Sequence, residues 1–189
     1  MAESAILVVR TSVDAAEPRH FYELLAVRLH AELEKDPHEV STRGFNYPVD
    51  PVAQAEARAE SMIRMYGHLR AGSNVVYNSH VMKEADRAPL KGMAGEIGCR
   101  MLILGFNTPV DLIMDRINNR YDDYPEYVGN DPRETVLSNT VIARMNTEEP
   151  RPSPLTNSVK VFNGHLDASG TATAVAKYAR TQLSPWEDC

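Results

Sequence analysis

The sequence predicts an α/β fold, a three-layer sandwich in which helices cover both faces of a mostly parallel five-stranded sheet. Short apolar runs alternate with longer helical patterns along the chain, which is typical of strand–helix–strand units. The first run, Ala5–Val9, is continuous and β-branched, as expected of a central strand buried on both faces. The runs at 74–78 and 100–105 both end in polar residues, and the helical pattern between them predicts a parallel strand–helix–strand unit.

The remaining elements continue this alternation. The first helix is predicted from about Pro18 to Lys35, because its large apolar residues are spaced as one buried face and Asp36-Pro37 stops it. A short strand is predicted over 39–42. Further helices are predicted over about 52–70, 83–97 and 171–182 and from 110 and 131 onward, with the fifth strand over 159–163.

One of these helices contains a proline. Pro89 lies inside the pattern at 83–97. Proline lacks a backbone N–H and its ring clashes with the preceding turn of a helix. The helix is therefore expected either to begin near Ala88 or to bend there.

Composition limits the classes of function. The chain has 189 residues with 43% apolar and 24% charged residues, which suits a single domain over 1–189. The net charge of −6 argues against binding of extended duplex nucleic acid. Neither a basic leader nor a run of about 20 apolar residues occurs, so we expect a cytoplasmic protein without a membrane partner. The histidines and the two cysteines show no metal-ligand spacing, and no metal site is predicted.

Polar side chains end or follow the two strands at 74–78 and 100–105. They comprise Asn78, Ser79, His80, Asn107 and Thr108. Ligands of parallel α/β sheets bind at the carboxyl ends of the strands, so these residues are expected to lie at the functional edge. Asn78 and His80 are the ligand-contact candidates there.

The order and spacing of these elements from Ala5 to Arg180, and above all the stretch over 70–80, resemble the P-loop kinase family. The similar branch contains polynucleotide kinase, zeta toxin and small nucleotide kinases. The resemblance implies the strand order 2-3-1-4-5 and a small helical lid over 116–133. It also implies an ATP- and Mg-dependent phosphotransferase activity.

The phosphate loop departs from the family pattern G-x-x-x-x-G-K-[ST]. In that pattern glycines let backbone N–H groups wrap the phosphates and the lysine neutralises their charge. Counting from the first strand, Thr11, Ala16, Glu17 and Pro18 stand where the two glycines, the lysine and the Ser/Thr are expected. Glu17 inverts the local charge and repels a phosphate. The sequence therefore predicts a degenerate loop that does not hold ATP in the usual way.

Two carboxylate positions also differ from the resemblance. Family members commonly carry an aspartate after the second strand, where it can activate the acceptor hydroxyl. With that strand predicted at 39–42, Arg43 takes this place and is a further candidate for contact with a ligand or phosphate. Asn78 stands where an aspartate near the metal is often seen in the family.

Three arginines are candidates for an atypical phosphate site. Arg19 lies near the predicted start of the first helix, where positive charge attracts an anion. Arg116 and Arg120 match lid arginines that neutralise phosphates. The competing interpretation is that Arg116 and Arg120 are surface residues paired with neighbouring acids such as Asp115 and Asp122.

These observations favour a pseudokinase, a kinase-fold protein that serves as a binding or regulatory module, with a protein partner or as a homo-oligomer. The alternative is an active atypical kinase that uses ATP and Mg and acts on a nucleotide, polynucleotide or small molecule. In that case Arg19, Arg116 and Arg120 replace the lysine. A third hypothesis is nucleotide binding without turnover. The ligand class that we expect is a nucleotide or a phosphorylated small molecule.

Overall fold

The computed structural model describes residues 5–11, 20–35, 51–79, 81, 83–122, 156–163 and 167–182. Strands and helices alternate through this part of the chain. In chain order they are β1 Ile6–Arg10, α1 Phe21–Leu29, β2 Ala31–Lys35, α2 Pro51–Arg70, β3 Asn74–Asn78, α3 Glu84–Ile97, β4 Arg100–Asn107, α4 Val110–Asp122, β5 Thr156–Asn163 and α5 Ala168–Gln182.

The sheet has five strands in the order β2-β3-β1-β4-β5, and every pairing is parallel. β1 lies at the centre, with Val8 paired to Val76 on one side and to Leu102 on the other. Both the predicted fold class and the predicted strand order are confirmed. In this order the carboxyl ends of β1, β3 and β4 meet at one edge of the sheet.

The two faces of the sheet carry separate apolar clusters. Val8 packs in a cluster with residues of α1 and α5, while Leu7 and Val9 pack in a second cluster with residues of α2 and α3. All three β1 side chains are fully buried. This explains why β1 is apolar from Ile6 to Val9, since successive side chains of a strand point to opposite faces.

The first helix and the second strand differ from the prediction. α1 ends at Leu29, where His30 takes a left-handed conformation (φ 49°, ψ 48°), and β2 follows over Ala31–Lys35. The side-chain amide of Asn74 donates to the Leu29 carbonyl at 2.8 Å and accepts from the Ile6 N–H at 3.0 Å. This amide ties the end of α1 to the start of β1 and β3. The prediction of a helix to Lys35 is therefore wrong.

The location of the second strand is corrected in the same way. Its predicted residues 39–42 lie outside the described part of the chain. The strand that pairs with β3 on the side away from β1 is Ala31–Lys35, with Leu33 opposite Val76. The sequence Ala-Glu-Leu-Glu-Lys favours helix locally, but pairing with β3 overrides that preference.

A buried carboxylate fixes β2 against α2. The side chain of Glu34, which is only 8% exposed as a residue, accepts hydrogen bonds from Ser61 Oγ at 3.2 Å and from Arg64 Nη2 at 3.1 Å. The hydrogen bond to Glu34 raises the pKa of the Arg64 guanidinium above its usual value. A buried charge needs such partners, and Glu34 obtains them from one helix.

The other described elements agree with the prediction to within a few residues. α3 starts at Glu84 and continues through Pro89, and Gly98 ends it in a left-handed conformation that favours glycine (φ 75°). The predicted helix from 131 lies outside the described residues, and of the predicted lid only 116–122 is described, as the end of α4. No helix in the described part of the chain is long and apolar enough to span a bilayer.

Candidate functional site at the carboxyl edge

We define the carboxyl edge as the ends of β1, β3 and β4 with the residues that follow them. Polar side chains gather there although they are shielded from water. Arg10, Thr11, Asn78, Ser79 and Thr108 are each less than a tenth exposed. Buried polar groups are stable only when they are hydrogen-bonded, so their contacts define what the edge can do.

Arg10 is the last residue of β1 and is 1% exposed. Its Nη1 donates to Asn78 Oδ1 at the end of β3, at 3.1 Å. Its guanidinium also lies over the Tyr22 ring of α1, 5.8 Å from the centroid, within the range of a cation–π contact. The Arg10 guanidinium thus places a permanent positive charge beside the side-chain amide of Asn78 at the end of β3.

Arg87 of α3 is fully buried and ties three segments together. Its Nη1 donates to Thr11 Oγ1 at 3.0 Å and to the Val81 carbonyl at 3.3 Å, and its Nε donates to Glu84 at 3.1 Å. The segments after β1 and β3 are therefore both held to the first turns of α3. Two guanidinium groups meet the end of β1, one from each face of the sheet.

Glu84 links Arg87 to Lys91. Its two carboxylate oxygens accept from Lys91 Nζ and from Arg87 Nε. The hydrogen bond from Lys91, with a further contribution from Arg87, lowers the pKa of Glu84 below its ordinary value. The carboxylate is therefore ionised at neutral pH, and its one negative charge is shared between Lys91 and Arg87.

Backbone hydrogen bonds extend the order beyond the strands. The Thr11 N–H donates to the Leu104 carbonyl at 2.9 Å, and the Val81 N–H donates to the Arg10 carbonyl at 3.3 Å. The Thr11 bond continues the pairing of β1 with β4 by one residue past the end of β1, and the Val81 bond joins the segment after β3 to the last residue of β1. Together with the two arginines, these bonds bring the ends of β1, β3 and β4 close together.

The structure brings together two of the predicted site residues, Thr11 and Asn78. Arg116 is partly buried in α4, nearly two turns after its start, and Arg120 lies in the next turn. The remaining candidates, Ala16, Glu17, Pro18, Arg19, Arg43 and His80, lie outside the described residues.

The interpretation of Arg43 is corrected because β2 lies earlier in the chain than predicted. β2 ends at Lys35, and the next residue in the sequence is Asp36. Arg43 comes eight residues after the end of this strand, so it does not directly follow β2. A carboxylate therefore follows the second strand after all.

The two buried arginines, Arg10 and Arg87, were not among the predicted site residues. Arg10 ends an apolar strand, and an arginine in that place is a signal that could have been noticed. Arg87 lies three residues after Glu84 and four before Lys91, a spacing that predicts helix-surface pairs rather than burial. Among the described residues, no group of three or more histidines, cysteines or acidic residues is arranged to hold a metal ion.

Comparison with solved structures gives matches over nearly the whole chain. A candidate kinase of Chloroflexus aurantiacus is 17% identical with a TM-score of 0.69, covering 96% of this chain and 100% of that one. The fold is that of the P-loop kinases. A sugar kinase of Janibacter sp. HTCC2649 is 14% identical with a TM-score of 0.63, covering 96% of both chains.

A third P-loop kinase-like structure was solved with a nucleotide. Kti12 of Chaetomium thermophilum, in complex with ADP-AlF3, is 14% identical with a TM-score of 0.63, covering 95% of this chain and 100% of that one. A scan against protein-family models and a search of curated proteins find no match. At these identities the likeness establishes the P-loop kinase-like fold.

Proposed function

We propose that this chain is a P-loop-kinase-fold binding or regulatory module that does not carry out ordinary ATP-dependent phosphotransfer. One observation carries the proposal: Thr11 and Asn78 are both bound by buried arginines of the same chain. Thr11 stands where the first glycine of a phosphate loop is expected, and Asn78 where a metal-proximal aspartate is expected. Two positions that would face a nucleotide are therefore engaged in internal contacts.

The residues at the phosphate-loop positions are unsuited to binding the phosphates of ATP. A phosphate loop wraps its ligand with backbone N–H groups, which requires glycines that approach closely. No glycine occurs before Gly44, and Glu17 stands at the lysine position. Two unit charges 4 Å apart interact by about 1 kcal/mol in water and by about 4 kcal/mol near a protein surface. A glutamate in place of the lysine therefore turns an attraction into a repulsion of that order.

The proposal includes a single domain over 1–189 with a lid over 116–133. Its ligand class is a nucleotide or phosphorylated small molecule, and its macromolecular partner is a protein or a second copy of the chain. The P-loop kinase-like fold supports the nucleotide class, since a neighbour of the same fold was solved with ADP-AlF3.

One observation favours the alternative, an active atypical kinase. Asp36 directly follows β2, where the resemblance implies the aspartate that activates the acceptor hydroxyl. In this alternative Asp36 serves as that group, and Arg19, Arg116 and Arg120 neutralise the phosphates in place of the lysine. Asn78 and the loop over 11–18 still depart from the family pattern.

A turnover assay separates the two functions. We expect no ADP formation above background when the protein is incubated with Mg-ATP and nucleosides, oligonucleotide 5′ ends or small alcohols. The lack of a lysine-bearing phosphate loop is the physical reason. The alternative predicts turnover that is lost in Asp36→Asn and retained in the control Glu17→Gln. Turnover with that pattern would establish the atypical kinase and refute the proposal.

A further inference from the structure

We propose that the guanidinium of Arg10 takes the place of the divalent cation of a P-loop kinase, so that any anionic ligand of the carboxyl edge binds without Mg²⁺. The inference rests on the proposed function and deepens it, because a fixed cation in the place of the metal would explain the loss of Mg-dependent phosphotransfer. It concerns the metal alone and can be tested without ATP.

The position of Arg10 is the first argument. In the P-loop kinases that this chain resembles, an aspartate close to the metal is expected at the end of the third strand. Here that residue is Asn78. Asn78 Oδ1 accepts from Arg10 Nη1 at 3.1 Å. A magnesium ion on the same oxygen would lie about 2.1 Å from it, within a few ångströms of the guanidinium. The two cations therefore compete for one small volume.

The chemistry of the pair is the second argument. Mg²⁺ prefers carboxylate oxygens in near-ideal octahedral geometry, whereas an amide oxygen carries no charge. Arginine remains protonated at every pH at which proteins are folded. The edge thus combines a weak ligand for the ion with a fixed positive charge beside it.

The rigidity of Arg10 is the third argument. The side chain is 1% exposed and lies over the Tyr22 ring of α1. The β1 backbone that carries it pairs with strands on both sides. Withdrawal of the guanidinium to admit an ion would break these contacts, so the charge is held in place. The residues therefore do not fit a divalent metal.

Paramagnetic Mn²⁺, followed by ¹H–¹⁵N NMR spectra, tests this inference. Mn²⁺ broadens the amide resonances of residues near its site, and Ser79 and Val81 report on the carboxyl edge. The native protein and Asn78→Asp, whose new carboxylate is paired with Arg10, are expected to show no local broadening. In Arg10→Met/Asn78→Asp the carboxylate is released. We expect half-broadening of these two resonances at a Mn²⁺ concentration at least about tenfold lower than in Asn78→Asp.

A matched control changes the net charge equally but elsewhere. Arg28 lies on α1 and bonds Thr173 and Ser169, so Arg28→Met/Asn78→Asp should behave as Asn78→Asp. The same spectra show whether each variant is folded, and Arg10→Gln/Asn78→Asp replaces the methionine variant if that one is not. Local broadening in the native protein, or none in a folded double variant lacking Arg10, would overturn the inference. Neither result depends on phosphotransfer, so the proposed function can fail or survive separately.

Discussion

Replacement of Arg87 by methionine is expected to lower the free energy of unfolding by about 3 kcal/mol or more. Arg87 is fully buried, and its guanidinium donates to Thr11 Oγ1, to the Val81 carbonyl and to Glu84. Methionine retains much of the apolar stem but leaves these acceptors without that donor. Removal of one member of a buried pair costs more than the pair itself contributes, because the remaining groups stay buried.

Urea denaturation followed by circular dichroism measures this effect. Lys35→Met is the control, because Lys35 and Glu23 form an ion pair in which both side chains are 46% exposed. Exposed pairs contribute about 0–1 kcal/mol, so this variant should unfold close to the native midpoint. Equal midpoints for Arg87→Met and Lys35→Met would show that Arg87 does not hold the carboxyl edge together.

Leu25→Ala is expected to destabilise the protein by about 2–5 kcal/mol. Leu25 is fully buried in α1 within the cluster that includes residues of β1 and α5. Truncation to alanine removes apolar surface from the core and leaves a cavity that the surrounding layer cannot fully close. The size of the loss therefore measures how tightly α1 packs against the sheet and against α5.

Val27→Ala supplies a control in the same helix. Val27 is 71% exposed, and alanine favours helix at least as well as valine. Its free energy of unfolding should lie within about 0.5 kcal/mol of the native value. A loss for Val27→Ala as large as that for Leu25→Ala, in the same denaturation experiment, would contradict the described orientation of α1.

The parallel sheet could be predicted because its buried strands appear in the sequence as short runs of apolar residues. β1, β3 and β4 each contain a continuous run of buried apolar residues, as a sheet covered on both faces requires. β2 could not be located, because its sequence over 31–35 is only partly apolar and favours helix. The contact that ends α1 comes from Asn74, 45 residues after Leu29 in the chain. Such a long-range hydrogen bond has no signature near the helix end.

The candidate site was predictable in part for the same reason. Asn78 ends a strand and Thr11 follows one, so their place at the carboxyl edge followed from the alternation of elements. The partners that engage them, Arg10 and Arg87, are 68 and 76 residues away in the chain. Local spacing carries no information on such pairs. The prediction that Arg43 directly follows the second strand was wrong because that strand was predicted too late in the chain. For the same reason Asp36 was not predicted to follow it.

The most direct test of the central claim is thermal unfolding of the native protein with and without Mg-ATP. If internal arginine contacts occupy the place of the metal at the edge where P-loop kinases bind Mg-nucleotide, addition of Mg²⁺ to millimolar ATP should not raise the midpoint above its value with ATP alone. A ligand at 100 times its Kd adds about 2.7 kcal/mol, which corresponds to a rise of about 5–10 °C for a chain of this size. A rise of that size that requires both Mg²⁺ and ATP would contradict the account.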